Sequence, residues 1–370
     1  MKMGRHQSPP GGDAIPLVRG IVELGPRDLK RVASLTGLSY ERANRTLKRA
    51  KEQFGIRIIG SPNLSALGLV TGFFTAELSP ENRKQGMKAM RELPSLEAVA
   101  TDPANLSRLF GLIYLPGNQA GVTYESLFNR LIEAGFLERY TLERYSKRRR
   151  YSLIPEFIDW ETGKYSFSWD SLPERAAEET PTELQECAGD LIDILILKEL
   201  ERDAAVPLVE LSKRLGKLHA IKITDRGLYH HLLHHISQRK LLSRYRVFMP
   251  FGSTFQIGVR LTGKDEEAAE KIRRVPFLNM ELLEGEKRLA WLNVPPAEKA
   301  NLIRYLYDNV FGHTMAVESF VSLPALRETF TIPYELYNSE LGGWSFEPEI
   351  HAERVLAKAK ELKESVPRIT

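Results

Sequence analysis

Two sets of side chains in this 370-residue sequence have types and spacing that could do chemistry. The first runs over residues 39–49. Ser39, Tyr40, Arg42, Asn44, Arg45, Lys48 and Arg49 alternate there with Ala43, Leu47, Ala50 and Phe54, which share one stripe at helical spacing. With that stripe turned inward, the outer face offers an amide and guanidiniums that reach base edges bidentately, and further cations that meet phosphates. The second set is His230, His231, His234 and His235, four of the eight histidines, in one predicted helix. The pairs 230/234 and 231/235 are each spaced i,i+4, which suits chelation of a divalent metal on a helix face. No Glu or Cys stands at ligand spacing within that helix, so no metal is expected. The alternative has His230 and His234 touching phosphates while His231 and His235 line the module. Arg226 and Tyr229 share the outward face, and Arg239 and Lys240 extend it.

Each set needs a scaffold. Residues 15–25 read as a short amphipathic helix ended by Gly25, and Pro26 opens a second helix reaching Thr36. Gly37 permits the positive φ of a tight turn, Leu38 plugs the core, and Ser39 caps the third helix, residues 40–54. Helix, Gly-containing turn and basic-faced helix make the helix-turn-helix arrangement, and residues 55–60 read as a β wing closing it. Beyond the wing, strands are expected over 65–78, 95–102, 107–115 and 139–154, with helices over 81–93 and 122–134. That βαββαβ order is the split, ferredoxin-like arrangement, whose second sheet face is open to a partner.

The plan then repeats. Residues 154–167 (IPEFIDWETGKYSF) and 332–346 (IPYELYNSELGGWSF) share Ile-Pro, a central Gly, an aromatic, Ser and Phe in order. A period of this length is a whole domain pair, beyond any solenoid repeat. The second copy has helices at 190–200 and 206–216, a reading helix at 224–242 capped by Thr224, a wing at 243–249, and strands and helices from 254 to 323. It departs from the first by inserting residues 216–223 between its second helix and its reading helix. The repeated phrase, with Trp160, Tyr165 and Phe167 echoed by Tyr337, Trp344 and Phe346, is expected to be a clasp over each sheet domain. Its aromatics could instead line an effector pocket. The basic run 146–151 is expected to guard an exposed edge strand.

Composition narrows the classes. The single Cys187 excludes an internal disulfide framework and a cysteine-built zinc site. No apolar run is long enough to span a membrane, and the first fourteen residues carry no apolar h-region, so a cytoplasmic protein with a disordered lead is expected. The net charge of +4 is uneven. Arg19 to Gly60 holds ten Lys/Arg against four Asp/Glu, and Leu208 to Arg246 nine against two. Between them Asp170 to Asp203 holds eleven acids against three bases. Two basic islands separated by an acidic linker suit two anion-binding surfaces.

Helix-turn-helix, wing, then Ala66-Leu67-Gly68-Leu69 leading into a βαββαβ domain, with Leu93-Pro94-Ser95-Leu96 after its first helix, resembles the Lrp/AsnC (feast/famine) transcription regulators over residues 15–154. The resemblance implies a double-stranded DNA partner, self-association through the sheet domains and a small effector such as an amino acid. It implies neither a cofactor nor an enzyme. The alternative is a resemblance to the siroheme decarboxylases, which also have two such halves. In that group a His and an Arg of the sheet domain handle tetrapyrrole carboxylates, but residues 62–154 contain no histidine and the second sheet domain has only His313. The expected fold is α+β: residues 15–61 a winged helix-turn-helix, 62–169 a ferredoxin-like sheet domain with its clasp, and 170–189 an acidic linker. A second winged helix-turn-helix (190–250), a second sheet domain (251–350) and a C-terminal helix or tail (351–370) follow, with the two sheets packed as a pseudo-dimer.

Overall fold

The computed structural model describes residues 12–102, 104–117, 120–175, 184–249, 255–262, 266–310, 315–321 and 332–365. The expected disordered lead falls almost wholly outside these residues, as do the middle of the acidic linker and His313. The first head is α1 (Ala14–Leu24), α2 (Leu29–Thr36) and α3 (Tyr40–Phe54). Its caps follow local chemistry. Asp28 accepts from Arg31 N, so α2 begins three residues after the expected Pro26. Gly37 closes α2 at φ 70°, and Ser39 Oγ accepts from Arg42 N at 3.2 Å to start α3.

The expected wing is corrected. β1 (Arg57–Pro62) finds no partner in its own head. It is followed by the strands β2 (Leu69–Leu78), β3 (Leu96–Thr101) and β4 (Arg108–Pro116), with the single turn α4 (Gly86–Ala89) between β2 and β3. The expected helix 81–93 is therefore fragmented. A Cβ on Gly86 would lie 2.3 Å from Leu78, so this segment lies directly on β2. Next come α5 (Ala120–Glu133), β5 (Leu137–Tyr145), β6 (Lys147–Arg150) and the small hairpin β7 (Ile158–Asp159) and β8 (Lys164–Tyr165).

The second half begins with α6 (Leu191–Arg202), α7 (Leu208–His219) and α8 (Asp225–His230), and α8 passes into a π-helical stretch over His231–Ser237. Of the inserted residues, Gly216 to His219 lengthen α7, which ends on Ala220 at φ 56°. The expected reading helix 224–242 thus ends about five residues early and is regular only over its first half. β9 (Leu242–Phe248) is the strand that β1 needs: the two pair antiparallel, with Ile59 opposite Arg246. The crossing is reciprocal. Tyr245 of β9 sits where a Cβ on Gly25, at the end of α1, would be, and Leu200 of α6 abuts Gly60 of β1.

The remaining elements are β10 (Phe255–Thr262), α9 (Glu266–Arg274), β11 (Leu278–Glu284), β12 (Lys287–Val294), α10 (Lys299–Asn309), β13 (Met315–Val321), the hairpin β14 (Tyr337–Asn338) and β15 (Gly343–Trp344), and α11 (Pro348–Glu364). The strands form one nine-stranded sheet in the order β5-β2-β4-β3-β13-β10-β12-β11-β6. Each half supplies four strands in ferredoxin-like order, and the first half adds β6 as the ninth. The halves join at β3–β13, with Thr101 opposite Val321, and at β6–β11. Only Ser146 separates β5 from β6, so the two ends of the strand order are tied together by the chain. One sheet face carries the helices. The other buries Phe73, Phe110, Tyr145, Leu282 and Trp291 in a single core shared by both halves. Full burial of such side chains stabilises by about 1.5–3 kcal/mol each, which makes the seam a folding interface.

Two further expectations change here. Residues 146–151 are no solvated guard: β6 ends the strand order, paired on one side with β11, but its arginines point at buried acids. Arg148 and Arg150 hold Glu97 on β3, and Arg149 lies 3.9 Å from the fully buried Glu281. The clasps seal the opposite half. Tyr165, Phe167 and Trp169 ring Phe277 of the second half, whereas Phe346 stacks on Tyr124 of the first at 4.1 Å. Trp344 Nε1 donates to Leu67 O at 2.6 Å, and α11 continues that seal with Ala352, Val355 and Ala359. No described helix is long and apolar enough to cross a membrane.

Candidate functional site

The outer face of α3 is where its sequence places it. Ser39, Tyr40, Asn44, Arg45, Lys48 and Arg49 are all exposed, while Ala43 and Ala50 are buried beneath them. The side chains of Asn44 and Arg45 make no hydrogen bond or ion pair among the described residues, and Arg49 Nε donates only to Gln53, at 2.7 Å. Lys48 stands 3.8 Å from Glu52, an exposed pair that leaves the ammonium available. Arg42 differs: its guanidinium is held by Asp13, just before α1, and it is only partly exposed.

The second head keeps Arg226, Tyr229, His230, His234, Arg239 and Lys240 exposed. It is less basic along its helix, because its cations lie at the two ends. Arg239 Nη1 is turned back to Ala188 O at 2.8 Å, and Lys240 sits at φ 54°, its carbonyl accepting from Asn63. Local desolvation against its neighbours and the imidazoles of His234, His235 and His231 hold the pKa of the exposed His230 below its ordinary value. His231 and His235 turn inward, each with Nδ1 toward the carboxylate of Asp193 on α6. Reading the histidine helix alone missed this acid. The signal for it was the pair Asp190 and Asp193, spaced as the N-cap and N3 residues of α6.

A cleft of about 610 Å³ opens between the heads, within the usual range for ligand sites. Head one lends it Pro26 and Arg27, head two Tyr229, Leu233 and Ile236, and β9 lends Arg244 and Tyr245. Arg27 Nε and Nη2 are buried without a hydrogen-bond partner. Burial lowers the Arg27 pKa, opposed by Tyr245 and Asp203. A guanidinium withdrawn from water and incompletely bonded favours an anion in that cleft. None of the repeated clasp aromatics lines it; they are used in packing.

Arg148 and Arg150 are committed to Glu97 and Tyr114, beside a cavity of only about 30 Å³. Burial and its Arg150 neighbour pull the Arg148 pKa down to about 9, and burial pushes Glu201, which faces the same cluster, up to about 8.

No protein-family model and no curated protein matches the sequence. Solved structures do. The siroheme decarboxylase NirDL matches with TM-score 0.52 and 11% identity over 96% of this chain and 100% of its own. An AsnC family transcriptional regulator from Agrobacterium tumefaciens matches with TM-score 0.30 and 15% identity over 37% of this chain and 91% of its own. E. coli AsnC matches with TM-score 0.27 and 14% identity over 36% and 90%. The last two span one half's worth of the chain and carry no weight at those scores. The first shows that the two-copy fold is shared from end to end. It corrects the expectation that the chain is not an enzyme, because the fold it shares over its full length is one that an enzyme uses. At the coarse level the fold is helical heads on ferredoxin-like sheets.

Proposed function

We propose that the chain binds double-stranded DNA in the manner of an Lrp/AsnC-type transcription regulator, with α3 as the element that enters the major groove. One observation carries this reading. Tyr40, Asn44, Arg45, Lys48 and Arg49 stand together, exposed, on one face of a helix capped by the Gly37–Ser39 turn. Asn44 and Arg45 lie in the first turns, where side chains reach base edges, and Lys48 and Arg49 follow where phosphates run. The second head contributes backbone contacts through Arg226, Arg239 and Lys240. The cleft between the heads takes a small anionic effector. Binding to genomic fragments, compared between wild type and Arg45→Ala/Lys48→Ala, tests the proposal. Retardation that the double variant does not change would remove α3 from it.

A second reading is favoured by the cleft itself together with the full-length fold. The chain is then an enzyme that binds a flat, polycarboxylate substrate between the heads and removes a carboxyl group from it, in the manner that the siroheme decarboxylase resemblance suggests. Arg27 and Arg244 would hold carboxylates, while Tyr229 and Leu233 would cover the apolar body. An absorbance titration with iron-uroporphyrin III, repeated with Arg27→Ala, tests this. No spectral change at stoichiometric protein would remove it.

A further inference from the structure

We propose that Asp190, Asp193, His231 and His235 form a binding site for one divalent first-row transition cation of the Zn²⁺ type, clamping α6 to the π-helical stretch of the second head. Their four ligand atoms lie within 4.8 Å of one another. His231 Nδ1 is 2.7 Å from Asp193 Oδ1 and 4.0 Å from Asp190 Oδ1. His235 Nδ1 is 3.1 Å from Asp193 Oδ2 and 3.6 Å from Asp190 Oδ2. A tetrahedral ion with bonds of about 2.0–2.2 Å sets its donors about 3.3–3.6 Å apart, and the four separations bracket that spacing.

Hydrogen bonding joins both rings to only one of the two acids. Asp193 alone satisfies both rings, each at hydrogen-bond distance. The Asp190 carboxylate converges on the same point from separations too long for a hydrogen bond to either ring. A cation at the centre would take one ligand atom from each of the four. Two carboxylates neutralise its charge and two imidazoles supply the borderline nitrogen ligands that such ions prefer.

The surroundings fit a built site. Asp190 Oδ1 accepts from Asp193 N at 2.9 Å and Asp193 Oδ2 accepts from Asp190 N at 3.1 Å, so a reciprocal capping box fixes both acids before any ion arrives. The Asp193 side chain is fully buried, whereas that of Asp190 is 49% exposed, which leaves an entry path. The rings of His231 and His235 lie 4.5 Å apart, centroid to centroid, where the backbone is π-helical, a rare form that concentrates at functional sites. Leu232, Leu233 and Ile236 of that stretch wall the cleft between the heads, so the ion would brace a ligand-facing surface.

The test is calorimetric titration of the full chain, stripped with chelator, with Zn²⁺ alone, followed by Co²⁺ absorbance. One equivalent should bind with a Co²⁺ d–d spectrum of tetrahedral intensity. His231→Gln/His235→Gln should lose that equivalent while keeping its circular dichroism, and His230→Gln/His234→Gln should retain it. Absence of binding by the wild type, or an equivalent that survives in His231→Gln/His235→Gln, overturns the site. Loss of the equivalent in His230→Gln/His234→Gln alone would move it to the exposed pair and overturn it equally.

Discussion

Salt dependence offers a quantitative test of the proposed DNA contact and of how many heads make it. Each phosphate neutralised contributes a slope of about −0.9 to log K against log salt. On α3, Arg45, Lys48 and Arg49 are exposed and oriented outward, whereas Arg42 is held by Asp13 and is left out. Three contacts give a slope of about −2.7, so affinity should fall about 40-fold between 50 and 200 mM salt. If the second head also engages through Arg226, Arg239 and Lys240, the slope doubles to about −5.4 and the loss becomes about 2,000-fold. Fluorescence anisotropy of a labelled duplex over that range measures it. Arg45→Ala/Lys48→Ala should flatten the slope by about 1.8 in either case, because the two cations act additively on counterion release. A wild-type slope near zero, or a double variant with an unchanged slope, would refute the assignment of α3 as the contacting face.

Three further outcomes follow from the packing. Phe346→Ala removes the ring stacked on Tyr124 across the two halves. It should lower stability by about 3–5 kcal/mol in denaturant melts, and a loss below about 1 kcal/mol would mean that the crossed clasp is dispensable. Glu97→Ala leaves Arg148 and Arg150 buried without their carboxylate and should cost about 3–5 kcal/mol. Glu97→Ala with Arg148→Met and Arg150→Met should recover most of it; failure to recover would place the cost elsewhere. Burial raises the Glu201 carboxyl to about 8 from an ordinary value near 4.5. The folded form therefore keeps a proton that the unfolded chain has lost, so this contribution is complete below about pH 4.5 and disappears as pH rises through about 8. Thermal melts across that window should show stability falling, and Glu201→Gln should flatten the fall; an identical slope in Glu201→Gln would exclude Glu201 as its source.

Much of the local architecture was legible in the sequence because it is written in short-range chemistry. Gly37 and Ser39 announce the turn and cap before α3, and the order of apolar runs announces both βαββαβ units. What escaped was the set of pairings between residues far apart in the chain. Nothing local tells Arg57–Pro62 that its partner is Leu242–Phe248, and the alternation of a strand is the same whether it closes its own head or crosses to another. The basic run 146–151 reads as a solvated edge because the two glutamates that bury its arginines lie on β3 and β11. The histidine helix shows its own spacing, but the acid between His231 and His235 belongs to α6, 38 residues from His231. The exposed face of α3 was accessible to reasoning since a helix face is periodic. The inter-head cleft was not, because its walls come from three distant segments.

The crossed clasps bear on how the chain acquires its structure in time. Trp344 closes on Leu67 across a sequence separation of 277, and Trp169 donates to Glu298 across 129. A ribosome-bound first half therefore has α5 uncovered, its own aromatics with nothing to cover, and β3 still lacking the neighbour that β13 will provide. Contacts of such span form late, after loop closure over most of the chain, and they make folding slow relative to the length of the individual elements. Until residue 346 has emerged, the nascent chain carries apolar surface and an open strand edge of the kind that chaperones cover. Each half leaves apolar surface that only the other covers. The duplication ties two copies into one cooperative object, completed only by its last elements.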